Sequence, residues 1–291
     1  MEPNMPKSEL SHRAKGDRFP GWPRRWPIHL LLGLSCLLVG IPLLYAMLVS
    51  TQSNAEVIAF QMTPGSSLGR NIWVAMVSRN LGRYMLNSTI QAAIVTVGKT
   101  ILSLLAGLAF VYFRFPGKWL VFSFVLVTLM MPTELLTISL FRIVAGGFQW
   151  GDSLYALTVP FLASATGAFL FRQHFANLPA ELSEAAQLDG AGPLTFLWRI
   201  LLPLSWNAIG ALAVIQFVYV WNMYLWPVLI IRSDRLQVVQ VGLSSIQSAG
   251  DTGTAYGPLM AGAILASLPP LLVFILLQKQ FMSGFQISRE K

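Results

Sequence analysis

The chain has 291 residues, 55% of them hydrophobic and 11% charged, and a mean hydropathy of +0.61. Soluble domains carry about 25% charged residues, and no water-soluble core of this length hides so large an apolar share, so lipid is the expected solvent. The net charge of +8 would suit nucleic acid, but the basic residues stand at the ends of apolar runs, which excludes that partner; the one cysteine, Cys36, excludes an internal disulfide.

Residues 1–27 are polar and proline-containing and read as a loosely ordered cytoplasmic arm. Six apolar runs follow, each long enough for a bilayer core of about 30 Å: 28–50, 85–113, 119–141, 155–171 (the shortest), 205–231 and 257–281. The first is too long for the apolar core of a signal peptide, and no clean small-x-small cleavage site follows it, so it reads as a retained span. Prolines 42, 132, 160, 227, 269 and 270 fall inside or at the ends of these runs. A membrane helix tolerates them where neighbours or cavity water satisfy the freed carbonyls. The expected fold is an all-α integral membrane protein with six transmembrane helices over 28–281 and a short tail at 282–291.

Basic residues orient the spans. With the N-terminus inside, Lys7, Arg13, Lys15, Arg18, Arg24, Arg25, Arg114, Lys118, Arg172, Arg199, Lys279, Arg289 and Lys291 are cytoplasmic. They outnumber by roughly two to one the outer set of Arg70, Arg79, Arg83, Arg142, Arg232 and Arg235. Both termini and the segment 177–204 are therefore expected in the cytoplasm. Trp22 and Trp26 flank the first span as an interfacial belt would.

Catalytic and metal-binding patterns are missing from the sequence. His12, His29 and His174 have no Cys, Asp or Glu at ligand spacing. No Gly-x-Ser-x-Gly elbow occurs, and no Ser–His or paired-Asp arrangement lies within the spans. Gly98-Lys99-Thr100 imitates the end of a phosphate loop, but the required earlier glycine is Ala93 and the triplet is embedded in an apolar helix. The chain is not expected to hold ATP itself.

Lys99 lies near the middle of the second span, where a charge costs about 2.5–3.5 kcal/mol on insertion scales. Glu134, in the third, is the one acid within any span. Two readings stay open: a structural ion pair between Lys99 and Glu134, or a cationic wall for an anionic cargo. Asn87, Gln91, Gln216 and Asn222 are further polar groups within spans, suited either to interhelical hydrogen bonds or to cargo contact. The small-residue run ASATGAF (163–169) allows close helix contact.

The segment 177–204 reads as two short helices. Pro179 suits a first helical position, with Glu181 and Glu184 in the first turns where the helix dipole favours anions. Leu182, Ala185, Ala186 and Leu188 make a small apolar face, and Gly190 suits a left-handed stop. Gly192-Pro193 restarts a helix that Pro203 ends. The product is a cytoplasmic knob: a docking surface for a soluble partner, or a helix lying on the membrane.

The knob contains Glu184-Ala185-Ala186, three residues, Gly190 preceded by Asp189, nine residues, then Ile200-Leu201-Leu202-Pro203. This pattern, with WNMYLWP (221–227), resembles the ATP-binding-cassette (ABC) importer permeases of the carbohydrate, maltose-type branch. FRFPGK (113–118), LMMPTE (129–134) and LTVPFLASATGAFLFRQHF (157–175) are similar to the second membrane subunits of sn-glycerol-3-phosphate importers, which also carry Gly-Lys and Glu where this chain has Gly98-Lys99 and Glu134. PLSWNA (203–208) lacks a proline that many relatives have, and the outer loops 52–83 and 232–256 match less well.

The resemblance implies the type I ABC importer permease fold in a bacterial cytoplasmic (inner) membrane. It implies a homologous second permease subunit, a cytoplasmic ATPase dimer that binds ATP and Mg²⁺, and an extracytoplasmic solute-binding protein. On that reading Glu184, Ala185, Ala186, Asp189, Gly190, Ile200 and Pro203 couple the chain to the ATPase, and the chain catalyses nothing and holds no cofactor. Lys99, Glu134, Gln216 and Asn222 are candidates for the substrate path. The implied cargo is sn-glycerol-3-phosphate or a related glycerophosphodiester, with a neutral sugar or oligosaccharide as the alternative. A stand-alone secondary transporter would need coupling-ion groups and usually an internal repeat, and would leave the knob unexplained.

Overall fold

The structure, a computed structural model, describes residues 26–248 and 255–284, apart from the side chains of 133–135. Of the expected arm (1–27) residues 1–25, and of the expected tail (282–291) residues 285–291, lie outside the described residues; Trp26 and Pro27 already belong to the first helix, and 282–284 to the last. Contacts divide the chain into units 1–46 and 47–291. The first, where described, is one apolar helical stretch belonging to α1, Trp26–Ser50, with Pro42 inside it.

The second unit opens with a short capping segment. Buried Gln52 donates to the carbonyls of Gln61 (2.7 Å) and Thr63 (2.8 Å). A Ser53–Glu56 capping box starts α2, Asn54–Ile58. Hydrogen bonds from the Ser53 backbone and hydroxyl hold the Glu56 carboxylate below its usual range. After α3, Leu68–Trp73, a wide π-type turn over Val74–Ser78 leads into the bundle. Asn71 donates to the carbonyls of Ser50 and Gln52, both at 2.8 Å, tying this cap to the end of α1.

The central helix is α4, Leu81–Tyr112. At 1.5 Å per residue its length is about 48 Å, more than a bilayer core requires. The expected third span is two helices, α5 (Lys118–Leu129) and α6 (Thr133–Phe141), the latter running into a π-type turn over Arg142–Gly147. The break falls at Pro132, which has no N–H to continue the ladder and sits in extended conformation (φ −62°, ψ 120°). The expected fourth span is also composite: α7 (Leu154–Thr158), a tight turn Val159–Phe161, and α8 (Ala165–Ala176), which Ser164 caps.

The knob consists of α9 (Ala180–Leu188), α10 (Pro193–Phe196), a π-type turn Leu197–Leu201 and α11 (Leu202–Leu204). Pro179 precedes α9 as its cap, one position earlier than expected. Pro203 does not end the second helix; the wide turn ahead of it absorbs the missing hydrogen bond, and the chain bends by 80° at Ser205. Ser205 is fully buried. Its N–H reaches the carbonyls of Leu201 (2.9 Å) and Leu202 (3.2 Å), and its hydroxyl that of Leu201 (2.6 Å).

Beyond this elbow come α12 (Trp206–Trp221) and α13 (Leu225–Ile230), so the expected fifth span is a shorter helix followed by a separate one. Asn222 caps α12 near Pro227. α14 (Val239–Ser248) and α15 (Tyr256–Gly284) complete the described chain. Among the described residues, four helical stretches are long and apolar enough to cross a membrane by themselves, and the bent pair at Ser205 brings the number to five; the interrupted third run is the one left out.

α4 is clamped between α8 and α12, and α12 packs on α15. A Cβ on Gly107 would lie 2.7 Å from that of Phe171, and one on Gly167 would strike the Ser103 hydroxyl. The small-residue run therefore does allow α8 to sit close against α4. The carbonyl of Ala266 would normally pair with the N–H of residue 270, which is proline. The buried Trp221 indole donates to it instead, at 3.1 Å. Trp221→Phe keeps the ring and removes the donor. It is expected to lower stability by about 1 kcal/mol, read as an earlier thermal unfolding midpoint in detergent; an unchanged midpoint would mean that another donor serves the carbonyl.

Candidate functional site

Along α4, residues three or four apart share a face. That face buries Ser88, Gln91, Thr96, Lys99, Thr100 and Ser103 among Ala92, Val95, Leu104 and Leu108. The upper members serve backbone groups: the Ser88 hydroxyl accepts the Val239 N–H at 2.9 Å, and Gln91 donates to the Leu157 carbonyl at 3.1 Å. Thr100 back-bonds to the Thr96 carbonyl at 2.8 Å. The hydroxyls of Thr96 and Ser103 are buried without a hydrogen-bond partner among the described residues.

Lys99 is 7% exposed. Its ammonium donates to Gln216 Oε1 at 2.8 Å and stands 5.1 Å from the centre of the Tyr219 ring, both on α12. An amide oxygen and a π-face orient a cation but carry no full negative charge to neutralise it. Two of the expected path residues, Lys99 and Gln216, are thus in direct contact. Glu134 lies in the first turn of α6, and its side chain is outside the described residues. Asn222 is elsewhere: exposed at the end of α12, it donates to the Val218 carbonyl (2.8 Å) and accepts from Gln240 (3.1 Å). Asn87 donates to the carbonyls of Arg235 (2.8 Å) and Gln237 (2.9 Å), fastening the outer loop. Asp152, just before α7, reaches the same loop: it accepts from the Ser233 N–H and hydroxyl and the Arg232 N–H, which hold its carboxylate below the usual range. Sequence reasoning missed Tyr219, Thr96 and Ser103; their only signal was a 3.6-residue recurrence of hydroxyls on α4 and a tyrosine one turn from Gln216.

In the knob, α9 ends at Gly190 with φ +72°. A Cβ there would meet nothing within 4 Å, so it is the left-handed backbone, not crowding, that calls for glycine. The Gly190 N–H donates to the Gln187 carbonyl (3.0 Å) and the Ala191 N–H to that of Ala186 (2.8 Å), folding the second helix back on the first. Ala186 is buried in one cluster with Phe196, Leu197 and Leu201 from the knob and Leu104, Leu108, Phe171 and Phe175 from the bundle. Tyr112 of α4 meets Phe196 edge-on, with ring centres 5.0 Å apart. Ala186 therefore anchors the knob, while Glu184, Ala185 and Asp189 face outward and Ile200 is half-buried. Leu188 does not join the buried face as expected: it is 89% exposed, and Leu194 and Trp198 of the knob are also exposed apolar side chains. Pro203 is exposed near the elbow.

A family described as "Binding-protein-dependent transport system inner membrane component" matches residues 99–285. The sn-glycerol-3-phosphate transport system permease protein UgpE of Pectobacterium atrosepticum is 42% identical over 271 residues, covering 90% of this chain and 96% of that protein. The UgpE of Agrobacterium fabrum is 37% identical over 272 residues with the same coverage. In fold, the chain is similar to a chain in the crystal structure of a bacterial ABC transporter involved in the import of the acidic polysaccharide alginate. The TM-score there is 0.76 at 20% identity, over 90% of this chain and 99% of the other.

Proposed function

Because the chain belongs to the family of binding-protein-dependent transport system inner membrane components, we propose that its cargo is sn-glycerol-3-phosphate or a related glycerophosphodiester. The chain is a multi-pass inner-membrane permease subunit of an importer. The observation that carries the cargo reading is the buried Lys99 ammonium, held between α4 and α12 by neutral partners only among the described residues. A compact ammonium in a low-dielectric setting attracts phosphate oxygens strongly. The 42% identity to a permease named for glycerol-3-phosphate transport supports the same assignment.

In this reading the chain pairs with a second, homologous permease, and a solute-binding protein delivers cargo from outside. A cytoplasmic ATPase dimer supplies the energy; ATP and Mg²⁺ are bound there and not by this chain. The Glu184–Leu188 surface receives one ATPase subunit, and the two permeases rock to open the path to alternate sides. No side chain here performs a covalent step. Lys99, Gln216 and the adjoining hydroxyls orient the cargo, and the knob transmits motion.

The test is uptake of labelled sn-glycerol-3-phosphate and of a labelled neutral oligosaccharide, in membranes carrying the chain with its co-assembling subunits and binding protein. Energy-dependent uptake of the phosphate ester alone is the expected result. Uptake of the neutral sugar in its place would overturn the cargo assignment.

A further inference from the structure

At the end of the bundle that carries the knob, a cavity of ≈ 350 Å³ opens between α4, α5 and α8, lined by Phe110, Val111, Lys118, Trp119, Phe122, Arg172 and Ala176. Its chemistry is unlike that of the Lys99 strip. Two cations share it with aromatic rings. The Arg172 guanidinium lies 4.1 Å from the centre of the Phe122 ring and 5.4 Å from that of Trp119. The rings hold the guanidinium in place, and its N–H groups have no acceptor among the described residues. The Lys118 ammonium donates to the carbonyls of Phe113 (3.0 Å) and Val111 (3.3 Å), which fixes its position beyond the end of α4 and leaves a third N–H. Neither cation is paired with a carboxylate of the described residues.

We propose that this cavity binds the headgroup of an anionic phospholipid. The two cations face the phosphate, and the acyl chains run along α5. Trp119, at the cavity rim, is 71% exposed, and half-buried Leu126 and the 85%-exposed Met130, just past the end of α5, follow it on the same side of the helix, so apolar surface continues from the rim along a helix built for lipid. A free phosphate would meet the same cations but has no use for that face, so the continuity of the two surfaces selects a lipid. Basic pockets between membrane helices recognise anionic headgroups through this combination of charge and adjoining apolar surface. The assignment is independent of the cargo and of ATPase docking.

The test is a lipid titration of the full chain, purified with its co-assembling subunits and delipidated, followed by native mass spectrometry. Phosphatidylglycerol is expected to bind at one site per chain about tenfold or more tighter than phosphatidylcholine. K118Q/R172Q should remove that preference, whereas Arg142→Gln, at the opposite end of the bundle, should leave it unchanged. Ala176→Phe, which fills the cavity and keeps both charges, covers the case in which the double variant fails to assemble, and should weaken binding as strongly. Equal binding of the two lipids by the wild type, or full retention of phosphatidylglycerol by Ala176→Phe, would overturn the proposal. Displacement of the bound lipid by millimolar inorganic phosphate would also overturn it, because the site would then belong to a water-soluble anion.

Discussion

Replacing Gly190 by proline, or Glu184 by lysine, is expected to abolish uptake while the chain still inserts and assembles with its partner permease. Proline fixes φ near −65°, whereas residue 190 stands at +72° and donates its N–H to Gln187. The substitution therefore unties α9 from α10. Alanine at 190 is the milder control: its Cβ meets no atom, and the left-handed backbone costs about 1–2 kcal/mol. Glu184 acts differently. It is exposed and contributes nothing to the buried anchor at Ala186. Charge reversal there leaves the knob folded and places repulsion on the surface proposed to meet the ATPase. ATPase co-purification and uptake should be measured on the same membranes. Loss of both for Glu184→Lys, with the permease pair intact, is the expected pattern; normal uptake with either substitution would refute the coupling role.

Lys99→Met is expected to lower sn-glycerol-3-phosphate uptake by about tenfold or more without loss of assembly. Methionine matches the length of the side chain and removes a charge whose insertion costs about 2.5–3.5 kcal/mol, so folding in the membrane should not suffer. The Gln216 amide loses one partner and Tyr219 keeps its packing. Lys99→Arg retains the charge and should retain part of the uptake. The ion-pair alternative makes the opposite forecast: Lys99→Met would damage assembly by stranding Glu134, and adding Glu134→Gln would restore it. Normal assembly together with normal uptake for Lys99→Met would rule out both.

Hydropathy located the helices well because burial in lipid needs only length and composition. The runs 85–113 and 257–281 correspond to α4 and α15 within a few residues. It could not locate the breaks. Residues 119–141 are apolar enough overall to pass as one span despite Pro132, Thr133 and Glu134, yet the missing N–H of Pro132 divides α5 from α6; the fifth run divides differently, at Asn222, which caps α12 and keeps its own N–H bonded to Val218. Gly190 was legible because a glycine after an amphipathic turn has one common use. The partner of Lys99 was not. Charge complementarity points to Glu134, whose side chain lies outside the described residues, whereas the acceptor found among the described residues, Gln216, is neutral and 117 residues away in sequence. Pairing of that kind depends on which faces of α4 and α12 meet, and hydrophobic periodicity is weak in helices apolar on every side. Thr96 and Ser103 stayed hidden for a related reason: hydroxyls within helices usually back-bond to their own carbonyls, as Thr100 does.

The bend at Ser205 gives the chain the mechanics of a bell crank. One arm runs from Pro193 to the pivot, the other from the pivot to Gln216, and each is about 17 Å long at 1.5 Å per residue. The pivot is stiff because every polar group of Ser205 is used: its N–H and hydroxyl bind the turn before it, and its carbonyl accepts the Ile209 N–H at 2.8 Å. With arms of equal length, a thrust on the knob reappears at Gln216 undiminished, its direction turned through 80°. If the knob receives the ATPase and Lys99 faces the cargo, as proposed, motion at the knob is converted into motion along a different axis at the residue that holds Lys99, and the leverage between the two is set by where the bend falls in the chain. Shifting it by one helical turn would alter that ratio without touching either end.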